Sequence, residues 1–441
     1  MAGERFVVLG VAQVRSPWFR EVARWATSAI LPVEFVKAMS LEEVRVRLRA
    51  GRGYSALMVD DSLVGVDRDL IALAGEAGCA VVVVDSGRAA RDWGDLGVSA
   101  VLSAAFGRDE LLQVLTQVAT PIARSTGAAA VSASGERRAS GFRGQLVAVT
   151  GSGGTGRSTV AACVAQGLAG DPRNLDLVCL ADLALHAEQA MLHGSADVVP
   201  GLIELVEAHR SGAPSIDEVR RLTWHVQERG YHLLLGLRRH RDWTAIRPRA
   251  FAAGLDGLRR GFRVVVADVD ADVEGEPATG SLDVEERNAM ARATLTAADL
   301  VVVVGLPGMK GLHSLLRTTR DLLAHGVPGA RLLPVINQAP KGPRARAELT
   351  RAFGSLLDGT GLGHGVPSPV HLAERRRLDE VLRDAARLPD GWATPVTSAV
   401  AALLDGGRDD LADEPPPEDE LVPVRPGSLG HWTDDDAEPS L

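Results

Sequence analysis

The chain has 441 residues, 46% of them apolar and 24% charged, which exceeds one ordinary core and points to two globular domains with connections. Its three cysteines, Cys79, Cys163 and Cys179, sit inside apolar runs, no stretch is apolar for the length of a membrane span, and the start lacks a signal-like pattern, so a disulfide scaffold and a membrane span are excluded and the cytoplasm is expected. The net charge of −9 is concentrated at the end, where residues 405–441 hold twelve acidic residues against Arg408 and Arg425, so the rest is nearly neutral and carries no strong field for a polyanion.

Residues 5–119 alternate strand-like and helix-like stretches: RFVVLGV, PWFREVARWATSAI, PVEFVKA, LEEVRVRLRAG, SALMVDDS, DRDLIALAGEAG, AVVVVDS, RAARDWGDLG, AVLSAAF and RDELLQVLTQVA. Five βα units of this length predict a doubly wound parallel sheet with helices on both faces. The order and size resemble a response-regulator receiver domain. That resemblance implies an acceptor aspartate at Asp60 or Asp61, an acidic pair after the first strand and a lysine after the fifth. FVVLGVAQ has no carboxylate to hold magnesium, and Ser103 lies near the lysine's place. Residues 1–120 are therefore expected to be an unphosphorylated, receiver-like interaction domain. Residues 121–144, small, polar and glycine-rich, read as a flexible linker that lets the two domains move against each other.

Gln145 to Thr159, QLVAVTGSGGTGRST, reads as strand, phosphate loop and helix start. Leu146 to Val149 form a β-type run, while Val160, Ala161, Val164, Ala165 and Leu168 recur at helical spacing, a context that an ordinary surface turn lacks. Glycines there let consecutive N–H groups turn inward around a phosphate at the positive end of the helix. The candidate cup is Gly151, Ser152, Gly153, Gly154, Thr155, Gly156, Arg157, Ser158 and Thr159, with the Ser158 hydroxyl placed for a magnesium ion. The spacing fits G-x-x-x-x-G-K-[ST], except that Arg157 stands where lysine belongs.

The glycine crowding resembles the deviant phosphate loop of the MinD/ParA superfamily, G-K-G-G-x-G-K-[ST]. Ser152 occupies the place of that family's signature lysine, which reaches across a dimer, and Arg157 the place of the lysine on the terminal phosphates. The resemblance implies ATP and Mg2+ as cofactors and a homodimer closing face to face over nucleotide.

Next, LDLVCLADLALHAEQAMLHG begins as a buried strand and continues as a helix. In MinD-like proteins, and closely in the pilus-assembly relatives CpaE and TadZ, this strand ends in D-x-D. Here Ala181 and Leu183 fall on the two aspartates with Asp182 between them, so Asp182 is either a shifted catalytic carboxylate or a helix cap. VVPGLIELVEAHRSGAPSIDEV matches a helix of the same relatives. GYHLLLGLRRHRDW adds a strand and a basic corner, where Arg238, Arg239, Arg241, Arg247 and Arg249 make a nucleic-acid patch or, as the interspersed acids favour, a solvated salt-bridged surface.

FRVVVAD, residues 262–268, is the candidate Walker B strand, with Asp268 holding magnesium opposite Ser158 and serving the chemistry with Asp182. The family's D-x-P is here DVDADVEGE, whose extra carboxylates either bind metal more directly or repel nucleotide. ADLVVVVGLPGMKGLHSLLRTTRDLL and ARLLPVINQAPKG supply two more βα units, and Asn337 falls where the superfamily's adenine-reading asparagine lies. His364 to Ser368 and HLAERRRLDEVLRDAARLP read as the last loop and helix, and TPVTSAVAALL as a closing helix. The acidic end from Asp405 opposes the basic membrane helix that ends MinD, so direct membrane anchoring is not expected.

The expected fold class is α/β with two doubly wound domains, a receiver-like (flavodoxin-like) parallel sheet followed by a MinD/ParA-type P-loop sheet. The expected divisions are 1–120, 121–144 and 145–404, then an acidic disordered tail over 405–441. As a whole the order of elements resembles CpaE/TadZ proteins, especially actinobacterial ones labelled septum-site determining. That implies an ATP-binding localisation protein with weak or no hydrolysis, concentrated at a pole or septum through division or pilus and secretion partners. A DNA-partitioning ATPase and a nucleotide-free scaffold are the alternatives.

Overall fold

A computed structural model describes residues 5–13, 16–28, 31–87, 91–122, 142–195 and 199–412, with backbone alone at 379 and 407–412. The first unit runs β1 (Phe6–Val11), α1 (Pro17–Thr27), β2 (Val33–Lys37), α2 (Leu41–Arg49), β3 (Ala56–Asp60), α3 (Arg68–Glu76), β4 (Ala80–Asp85), β5 (Ala100–Ser103) and α4 (Arg108–Val118). Its five strands are parallel in the order β2-β1-β3-β4-β5, the flavodoxin-like winding. Runs such as AVVVVD are valine-rich because a parallel strand is covered on both faces. Trp18 and Val22 of α1 pack with Leu111 and Leu115 of α4 on one face. Val44, Leu48, Leu70 and Ile71 of α2 and α3 cover the other.

The second unit begins with β6 (Gln145–Gly151), α5 (Arg157–Ala169), β7 (Val178–Asp182), α6 (Gln189–Leu192), α7 (Leu202–Ser211), α8 (Ile216–Arg221), β8 (Trp224–Val226) and β9 (Tyr231–Leu234). It continues through α9 (Pro248–Gly261), β10 (Val264–Asp268), α10 (Glu276–Thr279), α11 (Leu282–Arg287), α12 (Ala289–Ala297) and β11 (Leu300–Gly305). It closes with α13 (Met309–Ala324), β12 (Leu332–Ala339), α14 (Pro343–Asp358), β13 (Val370–Ala373), α15 (Leu378–Arg383) and α16 (Asp390–Ala412). The eight strands lie in the order β13-β12-β11-β6-β10-β7-β9-β8, and among their pairs only β8 with β9 is antiparallel. Helices α5 and α16 cover one face; α7, α9, α12, α13 and α14 cover the other. The buried amide of Gln166 on α5 bonds both N–H and C=O of Leu388, which fixes the approach to α16. The chain thus has the expected α/β class.

The topology fixes where a site can form. From β6 the chain crosses to β7, later inserts β10 between them, and then places β11 on the opposite side of β6. The loop after β6 therefore opens into the crevice at a reversal of winding, where parallel sheets present ligand sites.

Several expectations need correction. RAARDWGDLG forms no helix in its described residues: Asp92 bonds the N–H groups of Gly94 and Asp95 in a local turn, and Trp93 is buried in the core. The helix after β7 is one turn, α6. The stretch beginning HLA opens as edge strand β13. Residues 405–412 of the expected tail continue α16, while 413–441, like 123–141 of the expected linker, lie outside the described residues.

The two units also touch, because α3 seats on α7 and α9. Arg68 donates to the carbonyl of His209 at 3.2 Å, Asp67 pairs with Arg210 at 3.1 Å, and Asp69 accepts the Arg249 N–H at 3.1 Å. Arg249 also pairs with Glu76. Of the basic corner, Arg249 is thus committed to this seam and Arg238 pairs with Glu204.

Candidate functional site

The loop from Gly151 to Gly156 leaves the end of β6 and enters α5 through Gly156, whose φ is 80°. No larger residue fits there: a Cβ would lie 2.5 Å from the Asn337 side-chain nitrogen. Gly153 and Gly154 face open space and, with Gly151, Ser152, Gly156, Arg157, Ser158 and Thr159, line a cleft of about 1000 Å³. Thr155 points inward, its hydroxyl donating to the Ser152 carbonyl at 2.7 Å. The Ser152 hydroxyl is 2.6 Å from that of Ser314 on α13, so this position is tied to its own chain.

Arg157 determines the electrostatics. Its Nε lies 2.6 Å from Asp268 Oδ1 and its Nη1 2.8 Å from Asp270 Oδ1, with the arginine side chain 13% exposed and that of Asp268 fully buried. Burial alone would lower the guanidinium's pKa, but Asp268, Asp270 and Asp182 together raise it. The other Asp268 oxygen accepts from Gln189 Nε2 at 2.7 Å, and the same amide donates to the Ser158 carbonyl. Asp270 completes its own shell with the Leu185 N–H at 2.7 Å.

Asp182 and Asp268 are register partners at the ends of β7 and β10. Asp182 is fully buried, accepts the Gln189 N–H at 2.9 Å and does not line the cleft. Burial, reinforced by the neighbouring Asp268 charge, pushes its carboxyl well above the usual range. Its strand therefore holds Asp182 behind Gln189 and not among the residues that line the cleft. Asn337 lies against the loop. Its Nδ2 donates to the Thr155 carbonyl at 2.9 Å and its Oδ1 accepts from the Gln338 N–H, which commits the amide to holding the loop.

Sequence reasoning missed Gln189 and the groups behind it. His193 Nδ1 lies 2.6 Å from the Gln189 carbonyl and Nε2 2.6 Å from the Tyr231 hydroxyl. The carbonyl only accepts, so Nδ1 carries the proton and Nε2 accepts from Tyr231. Burial, with Arg229 nearby, lowers the His193 pKa to about 4 and keeps the ring neutral. The chain Tyr231–His193–Gln189–Asp268 has no sequence signature.

The residues present fit a polyphosphate better than a magnesium ion. Open glycine amides and a helix start are available, but both Asp268 oxygens are taken, one by a guanidinium. Among the described residues, the acidic lining residues Glu188, Asp270, Asp272, Glu274 and Asp321 outnumber Arg157, Arg287 and Arg317, which weakens the pull on any anion.

In the smaller unit, Asp60 at the end of β3 is enclosed by donors: Ser16, Ser62 and, at 3.4 Å, Trp18 Nε1. Burial raises its pKa, but these hydrogen bonds win and the net direction is downward. Asp61 accepts from the N–H and hydroxyl of Ser86. Residues 12 and 13 after β1 are Ala12 and Gln13, so no carboxylate pair stands there.

No family model matches the chain, and no curated protein matches it. Solved structures similar to it include a ParA family ATPase from Chlorobium tepidum TLS, 16% identical over 61% of this chain and 98% of that one, with a TM-score of 0.42. The cell division ATPase MinD of Pyrococcus furiosus is 16% identical over 61% and 99%, TM-score 0.42. The septum site-determining protein MinD complexed with Mg-ADP from Pyrococcus horikoshii OT3 is 17% identical over 61% and 97%, TM-score 0.41.

Proposed function

We propose that this chain is a MinD/ParA-superfamily protein of the CpaE/TadZ kind, which binds ATP weakly, hydrolyses it slowly or not at all, and positions division or pilus and secretion machinery at a pole or septum. The observation that carries the reading is the 2.6 Å contact between Arg157 and Asp268. In a metal-dependent site the Walker B carboxylate faces a cation held with the loop hydroxyl. Here a covalently attached guanidinium sits against it, and planar Arg cannot double as the compact ammonium that a tight phosphate loop takes.

The loop residues Gly151 to Thr159 are the proposed nucleotide cup, with Ser158 the remaining hydroxyl of a lost metal site and Asn337 its support. ATP, where bound, supplies the polyphosphate that these amides hold. Closure as a homodimer belongs to the same reading, although Ser152, tied to Ser314, is too short to reach across as the family's lysine does. A malachite-green assay should detect no magnesium-dependent phosphate release above buffer; robust release would overturn the reading. A nucleotide-free scaffold is the second reading, favoured by the self-neutralised Arg157–Asp268–Asp270 cluster. It predicts no ATP-dependent thermal shift.

The smaller unit is proposed as an unphosphorylated, receiver-like interaction module. What supports this is the closed donor shell around Asp60 and the lack of carboxylates in FVVLGVAQ, at and after β1. Incubation with acetyl phosphate should leave the chain's mass unchanged. Gain of one phosphate, abolished by Asp60→Asn, would contradict it.

A further inference from the structure

The far edge of the larger sheet carries a second constellation, remote in sequence from the phosphate loop. His225 and His232 are direct partners across the antiparallel β8–β9 pair, with ring centroids 5.0 Å apart. Asp176, in the turn before β7, has a left-handed φ of 57°. Its Oδ1 lies 2.8 Å from His232 Nε2 and 3.8 Å from His225 Nε2. We propose that Asp176, His225 and His232 form a binding site for a zinc-class divalent transition-metal ion, which clamps the edge hairpin to the turn that precedes β7.

The hydrogen-bond pattern around His232 supports this. The Thr223 hydroxyl gives its proton to the Arg220 carbonyl at 2.7 Å, so toward His232 Nδ1, 3.0 Å away, it can only accept. Nδ1 therefore carries the ring proton, and the Nε2 lone pair faces Asp176 Oδ1. Two lone pairs at 2.8 Å need a cation between them. A proton would serve for His232 alone, but His225 brings a third donor to the same oxygen, which a proton does not use and a metal ion does.

The surroundings are those of a ligand set held in place. Arg220 Nη2 donates to Asp176 Oδ2 at 2.8 Å and to its carbonyl at 2.7 Å, which leaves Oδ1 for the ion. The guanidinium itself rests 5.2 Å over the Phe262 ring. Two imidazoles and one carboxylate suit zinc and its neighbours, whereas magnesium and calcium prefer oxygen alone. The three donor atoms lie within 4.8 Å of one another, and tetrahedral bonds of about 2.0–2.1 Å need donors about 3.3 Å apart. His225, with its side chain 45% exposed, closes its 3.8 Å gap to Asp176 by rotating, while the 2.8 Å His232–Asp176 pair opens by about 0.5 Å to admit the ion. A fourth position is left for water or a partner's side chain.

The test is titration of the full chain with Co2+ alone, followed by Zn2+. The expected result is one ion per chain, a visible tetrahedral-type band that zinc removes, and a zinc-dependent rise in melting temperature that magnesium does not give. His225→Ala, at an exposed position, should keep the metal-free melting temperature while losing the band and the zinc response. Arg220→Gln, with all three ligands intact, should bind about tenfold more weakly. No stoichiometric binding, or binding unchanged in both His225→Ala and His232→Ala, would overturn the proposal.

Discussion

Replacing Arg157 by alanine is expected to destabilise the chain by about 3–5 kcal/mol, because it strands a buried carboxylate. Asp268 is fully buried, and its Oδ1 has only the Arg157 Nε at 2.6 Å. Asp270 loses its partner in the same stroke, and Asp182, already forced toward its neutral form, lies directly across the register. Adding Asp268→Asn to Arg157→Ala should recover most of the loss, since a neutral amide can still meet Gln189. Denaturant unfolding of the parent, both single variants and the double variant measures the coupling. A single-variant loss under about 1 kcal/mol would mean the pair is a loose surface contact.

The second large effect is on pH dependence and comes from His193. Its folded pKa of about 4 lies below the model-peptide value of about 6.5, so the unfolded chain binds a proton that the folded chain refuses. The contribution is fully present above about pH 6.5 and is lost as pH falls toward 4, about 3 kcal/mol in all. His193→Gln removes this titration. The stability gap between parent and variant should therefore shrink by about 2–3 kcal/mol between pH 7 and pH 4.5, the variant's curve being flatter. Parallel curves would show that the ring is charged or solvated in the fold. The consequence reaches the loop, because protonating Nε2 breaks its bond from Tyr231 and loosens the residue that carries the Gln189 carbonyl.

Much of the architecture was legible because the informative signals are local. A four-residue apolar run into crowded glycines and a small-residue helix can hardly be anything but strand, loop and helix, and FRVVVAD ends a buried strand on an aspartate whatever its neighbours. Where the reading failed, the deciding contact was distant or the segment weak. Arg157 and Asp268 are 111 positions apart, so that the loop's cation would be consumed by the strand's anion could not be read from either motif. Asn337 sits where expected, yet its amide is spent on Thr155. The edge strands β8 and β13 carry His225 and His371 in short, part-polar runs that lack strand character on their own. In RAARDWGDLG, Asp92 and two glycines turned a helix-like spacing into a local turn.

Whether Arg157 stands where a magnesium ion would otherwise balance Asp268 is tested most directly by calorimetric titration of ATP into the full chain, once in magnesium and once in EDTA. The two affinities are predicted to be weak and to agree within about threefold, because the carboxylate already has its cation. Tightening by magnesium of about tenfold or more would show that Arg157 gives way and that the metal site is intact.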